Sequence, residues 1–356
     1  MKQVKTLSFA GQNIYCGIDT HKKDWAVCIR DESYELRTFS QPAKPDILVD
    51  FLHRNYPGAQ YFAVYEAGFS GFWAQRSLTI LGVNCSIIHA ADVPTTDKDR
   101  QQKTDRVDCR KLAKALCDKR VKGIYIPDAQ LVDDRIVIRT RRQLVRDQTR
   151  HKNRIMAMIH FYGIEIPEGY KQSSHFSNKL ISWLEALELG SSAKLALTLK
   201  VNAIKHVRSE LLAANRALRG LSKSLRYKTP VELIRSAPGI GLINAMVFLT
   251  ELGDIGRFRC LDQLANYVGL TPNIYSSSDT VHVKGITHRC NHILREALIE
   301  SAWCAARKDP ALYMAYKEYL KRMNHNKAII KIARKLLNRI RYVLLNQQKY
   351  VNCVVQ

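Results

Sequence analysis

The chain has 356 residues, enough for two or three domains with cores of their own, and its 46% hydrophobic and 25% charged residues are those of a folded globular protein. Fifty-six Lys+Arg against 32 Asp+Glu leave a net charge of +24 and a pI near 9.7, an excess that points to a polyanionic partner, because neutralising phosphates with counterion release drives nucleic-acid binding. A basic membrane-surface protein would need a strongly amphipathic helix or a lipidation signal, and neither is evident; no apolar run approaches a membrane span, and MKQVKTLSFAGQNIYCGID lacks the apolar core of a secretory signal.

Nine cysteines are scattered with no C-x-x-C pair. An odd count without a framework reads as reduced thiols in a cytoplasmic protein, not as disulfides or a zinc module.

From Asn13 to Asp31, Ile14, Cys16 and Ile18 alternate with other residues, and Trp25, Val27 and Ile29 do the same. The period of two predicts two strands around a polar turn. Asp19 falls where the first strand stops. A helix over Ile47–Asn55, a strand YFAVYE ending on Glu66, a helix near Gly71–Leu81 and a strand at Val83–Ile88 make the region a mixed α/β sheet. Thr104 then caps a helix whose apolar residues are Val107, Leu112, Ala115 and Leu116. Asp105 and Asp108, three apart, share one face of it, with β-carbons about 5–6 Å apart. Two acids in a first turn also suit the helix dipole, and the pair alone says no more. As a set of four, Asp19, Glu66, Asp105 and Asp108 can converge on one sheet edge, where hard oxygen donors repel one another unless cations sit between them. Magnesium ions about 3.5–4 Å apart in such a set would clamp the attacking and leaving oxygens of a phosphodiester.

The stretches GIDTHKKDWAV, YEAGFSG and KTDRVDCRKLAKAL resemble the RuvC-like (RNase H-like) N-terminal domain of the DEDD insertion-sequence transposases, the IS110 or bridge-RNA-guided serine recombinase family, to which the Piv-type DNA invertases are similar. The resemblance implies that Asp19, Glu66, Asp105 and Asp108 are the four catalytic acids and hold Mg2+.

Asp134–Arg154 carries eight bases against Asp134 and Asp147, with apolar residues among them at helical intervals. A solvated basic face is the plain reading; against the protein-wide positive charge, a phosphate-tracking helix using Arg139, Arg142, Arg146 and Arg150 is preferred. The helix breaks at Gly163–Tyr170, which contains Pro167, and helical patterns resume at Leu180–Leu189 and Ala193–Leu225. The segment is expected to form a helical hairpin or coiled-coil arm suited to dimerisation and to DNA or RNA contact. No heptad run chooses between dimer and tetramer.

In LIRSAPGIGLINAMVFLTELGDIGRF a helix, a Pro238–Gly241 turn and a second helix follow one another. Gly239 and Gly241 let backbone approach a phosphate, in the manner of a helix-hairpin-helix, although the same turn serves as an ordinary helix connection. After Leu261–Leu270 come Ser276, Ser277 and Ser278 in a polar loop, which read locally as a turn, and a helix from about Asn291 to Ala306. This last third resembles the C-terminal transposase domain of the same family, in which a serine of a P-x-x-x-x-S-G loop is the nucleophile. Counting from Pro272 puts that serine at Ser277. The family's following glycine is replaced by Ser278, which leaves Ser276 and Ser278 as alternatives. His288, Cys290 and His292 have no fourth partner for a zinc site, and the family's Lys-x-Gly-Asn turn is here His288–Asn291. Arg295 is expected to face a phosphate. The tail Tyr313–Tyr350 is a basic helical stretch with an apolar stripe at Ile329, Ile332, Ala333, Leu336, Leu337 and Ile340.

These readings divide the chain into an α/β RuvC-like domain (1–131), a basic helical or coiled-coil arm (132–228) and a mainly α C-terminal transposase domain (229–356). The expected activity is that of a transposase or site-specific DNA recombinase. It would cut and rejoin donor and target DNA through a phosphoserine, with Mg2+, as a homodimer or tetramer, its site built within one subunit or across subunits. A guide RNA from the same element is implied by the resemblance alone. The alternatives are a metal-dependent junction-resolving nuclease that uses water, and a non-catalytic nucleic-acid-binding protein.

Overall fold

Three antiparallel strands open the chain: β1 (Asn13–Thr20), β2 (Asp24–Arg30) and β3 (Glu35–Pro42). Helix α1 (Pro45–Asn55), β4 (Gln60–Glu66), α2 (Trp73–Ile80), β5 (Asn84–Ile88) and α3 (Asp105–Cys117) follow. The computed structural model describes residues 8–94, 104–171, 176–277 and 280–352, and the chain divides into two compact units, Met1–Ile126 and Pro127–Gln356.

In the first unit the sheet order is β3-β2-β1-β4-β5, with β4 parallel to β1 and β5 parallel to β4. The alternation seen in the sequence becomes a two-sided core. Ile14, Cys16, Ile18, Trp25, Val27 and Ile29 are all fully buried with Leu48 and Leu52 of α1 and Ala74 and Leu78 of α2. On the opposite face the side chains are small, Gly17, Ala26 and Cys28, and α3 lies there with Cys109 and Ala113. Burial on both faces is what places β1 in the middle of the sheet. Thr104 caps α3 as expected, its hydroxyl accepting from the Val107 amide at 3.4 Å. Strand β3 has no counterpart in the sequence expectations. ELRTFSQP pairs along one side only, as an edge strand, and its largely exposed residues carry little hydrophobic alternation.

The second unit opens with α4 (Ala129–Phe161), the short α5 (Glu168–Lys171), α6 (Asn178–Ala186) and α7 (Ser191–Leu221). The long helices α4 and α7 pair antiparallel. Arg141 Nε donates to Asn215 Oδ1 at 2.7 Å at one end, and Ile155 and Ile159 pack with Leu197, Val201 and Ile204 at the other. Next come α8 (Lys228–Arg235), α9 (Leu242–Leu252), α10 (Leu261–Val268), β6 (Pro272–Ser277), β7 (Thr280–Ile286), α11 (His292–Lys308), α12 (Pro310–Leu320) and α13 (His325–Asn346). Helix α9 is buried from Ala245 to Leu252 and forms the centre of this core. The tail stripe from Ile329 to Ile340 packs into the same core. Two helices make up the tail instead of one continuous stretch, because Asn324 caps a new start by accepting from the Lys327 amide.

The serine segment is a β-hairpin, not a loop. Ile274 pairs with Val283, Ser276 with Val281 and Ser277 with Thr280. The β-branched and aromatic residues Ile274, Tyr275, Thr280, Val281 and Val283 favour paired strands, and the three serines obscured that propensity. Among the described residues no helix is long and apolar enough to cross a membrane.

Candidate functional site

Strands β1 and β4 are parallel neighbours paired through Ile18 and Tyr65. The next residue on each strand is an acid, Asp19 and Glu66, and the register directs both to the same face of the sheet. That face carries α3. A β-carbon built on Gly17 would stand 2.1 Å from the Cys109 carbonyl oxygen and 2.3 Å from the Ala113 nitrogen, so glycine is what lets the helix touch the strand. Two residues along β1, about 6.6 Å, lies Asp19; one turn back along α3, about 6 Å, lies Asp105. The two rises match, and the acids meet.

His21 stands between them. Its Nε2 is 3.3 Å from Asp19 Oδ2 and 3.4 Å from Asp105 Oδ2, and donor atoms of the three residues lie within 4.8 Å of one another. Asp108 is paired with Lys111 Nζ at 3.3 Å. Burial pushes the Asp19 carboxyl above its ordinary value; His21 opposes this, and the charges of Asp105 and Asp108 add to it. Glu66 ends β4, and the loop after it is fastened down. Tyr65 donates to the Gly71 carbonyl at 2.9 Å and accepts from the Gln75 amide at 3.2 Å, while the buried Ser70 hydroxyl bonds Thr20 Oγ1 at 3.0 Å. Half-buried Asp19 and exposed Asp105 set carboxylate oxygens beside one imidazole, a donor set that a divalent cation suits. Sequence reasoning missed His21. The Asp19-Thr20-His21 spacing at a strand end carries no signal of its own without Asp105 beside it.

Ser277 closes β6, opposite Thr280, and Ser276 precedes it, opposite Val281. Ser278 lies outside the described residues.

Several of the bases expected to face phosphate have partners inside the protein. Arg139 makes a two-pronged pair with Glu251, Nε to Oε1 at 2.8 Å and Nη2 to Oε2 at 2.9 Å. Glu251 is fully buried and also accepts from Asn291 Nδ2 at 2.9 Å. Burial would raise its carboxyl, but the bonds and charges of Arg139, Asn291 and Arg135 outweigh that and hold it below the usual glutamate value. Arg142 binds Glu296 and Arg150 binds Asp147, whereas Arg146 is mostly exposed, 3.9 Å from Glu296. Arg295 donates to the Thr287 carbonyl at 2.9 Å. Gly239, at φ +85°, faces α11, where a β-carbon would meet the Ser301 carbonyl oxygen at 2.4 Å; Gly241 has open space around its Cα. On α13, Lys327, Lys331 and Lys335 form an exposed row at four-residue intervals with no carboxylate in ion-pair range among the described residues.

The chain matches two protein-family models, a DEDD transposase model of IS110 type over residues 16–164 and the transposase IS116/IS110/IS902 family over residues 231–317. It is 29% identical over 302 residues to a Sinorhizobium fredii protein named as a transposase, y4rJ, covering 77% of this chain and 74% of the relative. It is 25% identical over 296 residues to the transposase for insertion sequence element IS1111A of Coxiella burnetii, covering 81% and 78%. With its front matched by one model and most of its last third by the other, the chain belongs to the IS110 family of DEDD transposases.

Proposed function

We propose that the protein is a site-specific DNA recombinase of an insertion sequence that cuts and rejoins strands through a phosphoserine at Ser277, with Asp19, Glu66, Asp105 and Asp108 as its acid set. The observation that carries this reading is the meeting of Asp19 and Asp105, from a strand and a helix 86 positions apart in the chain, within reach of one imidazole. The sheet order, three antiparallel strands followed by two parallel ones, supports a RuvC-like domain with its acids at the ends of the two central strands.

The acids would hold a divalent cation, Mg2+ being the one the family resemblance implies, which when bound stabilises charge on the transferring phosphate. The rest falls to the chain's own residues. A serine hydroxyl is a weak nucleophile until its proton is taken. As the Ser277 Oγ–P bond forms, that proton passes to water, the P–O bond to the departing strand breaks, and the departing oxygen takes up a proton from water to become a DNA hydroxyl. The freed DNA hydroxyl of the partner strand then attacks the phosphoserine and releases the serine, so one ester replaces another and no ATP is needed. Arg142, Arg146, Arg150, Gly241 and Arg295 are the proposed contacts to donor and target DNA. A guide RNA, an arm that joins subunits, and division into segments 1–131, 132–228 and 229–356 belong to the same reading.

Trapping tests it. A protein–DNA adduct that survives denaturation, is lost in Ser277→Ala and persists in Ser276→Ala supports the recombinase. Undiminished cleavage by Ser277→Ala, with no adduct, would leave a metal-dependent nuclease using water. Unchanged DNA-dependent activity in Asp19→Asn and Asp105→Asn would leave a binding protein.

A further inference from the structure

We propose that His21 is a nitrogen ligand of the same cation site, which makes the site a mixed carboxylate and imidazole one that takes Mn2+ in preference to Mg2+. The inference rests on the reading of Asp19 and Asp105 as cation-holding residues and adds to that set a side chain that a four-acid signature does not contain.

The backbone fixes where His21 can reach. It is the first residue of the turn that joins β1 to β2, and its amide donates to the Asp24 carbonyl at 3.0 Å, which holds the turn tight against the strand ends. From there Nε2 is nearly equidistant from an oxygen of Asp19 and one of Asp105, at 3.3 and 3.4 Å. Asp19 sits on the sheet and Asp105 on the helix, so the imidazole bridges the same two elements that a cation would bridge. A surface ion pair is the plain alternative, since His21 is half exposed, and such pairs contribute little to stability. What that alternative leaves out is competition. A cation drawn to Asp19 and Asp105 meets the imidazole already between them, and the ring must either swing away or join the coordination.

Joining requires the smaller change. The atom facing both carboxylates is a ring nitrogen, and moving the ring proton from Nε2 to Nδ1 presents a lone pair at the same place with no rearrangement of the turn. Imidazole nitrogen is a poor partner for Mg2+ and Ca2+, which prefer oxygen, and a good one for first-row transition metals; carboxylates serve both. Two oxygens and a nitrogen held within 4.8 Å therefore favour Mn2+ over Mg2+.

Pulsed electron paramagnetic resonance on the full-length protein with Mn2+ alone tests this. The expected result is nitrogen hyperfine coupling on the bound Mn2+ of the native protein. In His21→Gln the coupling should vanish while Mn2+ still binds, about tenfold more weakly. Lys22→Gln, at the next turn position, should keep both. Mn2+ bound to the native protein without nitrogen coupling overturns the role of His21 and leaves the acid site standing. So does coupling that persists in His21→Gln. If Mn2+ binds the native protein no better than Asp19→Asn, the acid-site reading fails, and His21 with it. A native spectrum without nitrogen coupling overturns the role of His21 without any variant, and retained Mn2+ binding shows that His21→Gln is folded when its spectrum is read.

Discussion

The Cα of Gly17 in β1 lies so close to the carbonyl of Cys109 in α3 that a β-carbon there would come within 2.1 Å of the oxygen. Everything at the acid site is referred to that contact, because it sets the height at which α3 crosses the strand and therefore brings Asp105 beside Asp19. Gly17→Ala must push the helix off the sheet, since the obstructing atoms are backbone. We expect a loss of about 1–3 kcal/mol in urea unfolding, together with loss of Mn2+ affinity in titration calorimetry. Gly220→Ala, in α7 with open space around it, should instead be neutral or slightly stabilising. Native-like stability and metal binding in Gly17→Ala would show that the contact does not set the site.

Arg139 and Glu251 give a different kind of prediction. Removing the guanidinium leaves a fully buried carboxylate with only Asn291 and a longer approach from Arg135 at 3.7 Å. Arg139→Met should cost about 2–3 kcal/mol, less than the full penalty for breaking a buried pair because the arginine side is half exposed and screened. Its effect on DNA binding should track the loss of stability and leave the salt dependence of binding unchanged. A shallower salt dependence at native stability would return Arg139 to the phosphate contacts.

The pH dependence of the Asp128–Arg226 pair follows from its geometry. Arg226 donates through two nitrogens to the Asp128 carboxylate, and these bonds hold its pKa down to about 2 from an ordinary 3.8. A carboxylate with a lowered folded-state pKa stabilises the fold above the unfolded value, and that contribution disappears as pH falls from 3.8 through about 2. Carboxyl NMR titration should show Asp128 moving back toward its ordinary value in Arg226→Met. The stability effect should be small, because both side chains are well exposed. An unchanged titration in that variant would mean that Arg226 is not the cause.

The row Lys327, Lys331 and Lys335 is the clearest set of uncommitted cations on α13, where Arg334, Arg339 and Arg341 all bond within the protein. If the row meets phosphates, each Lys→Ala change should reduce the slope of log K against log salt by about 0.9 and leave the unfolding midpoint unmoved. Fluorescence anisotropy with duplex DNA across a salt series measures it. A triple variant with the native slope would show a merely solvated face.

Much of the first unit could be read from periodicity. Ile14, Cys16 and Ile18 alternate because one face of β1 meets α1 and α2, and Thr104 announced the start of α3 by its capping chemistry. Strand β3 and the β6–β7 hairpin could not be read in this way. One is an edge with little apolar pattern, and the other owes its pairing to residues either side of a serine run that resembles a turn.

Charge and signature motifs, both properties of the linear chain, pointed by themselves to a nucleic-acid partner and singled out Asp19, Glu66, Asp105 and Asp108 as candidate acids. They could not say which arginines remain available, since whether Arg139 faces a phosphate or Glu251 depends on a helix more than a hundred residues away. Nor could they reveal His21. A histidine two positions after an aspartate has no meaning until a glycine on the same strand admits a helix close enough to set a second aspartate on its other side. Composition and spacing are local, whereas the partner of a charge is chosen by packing at distances along the chain that no local pattern encodes.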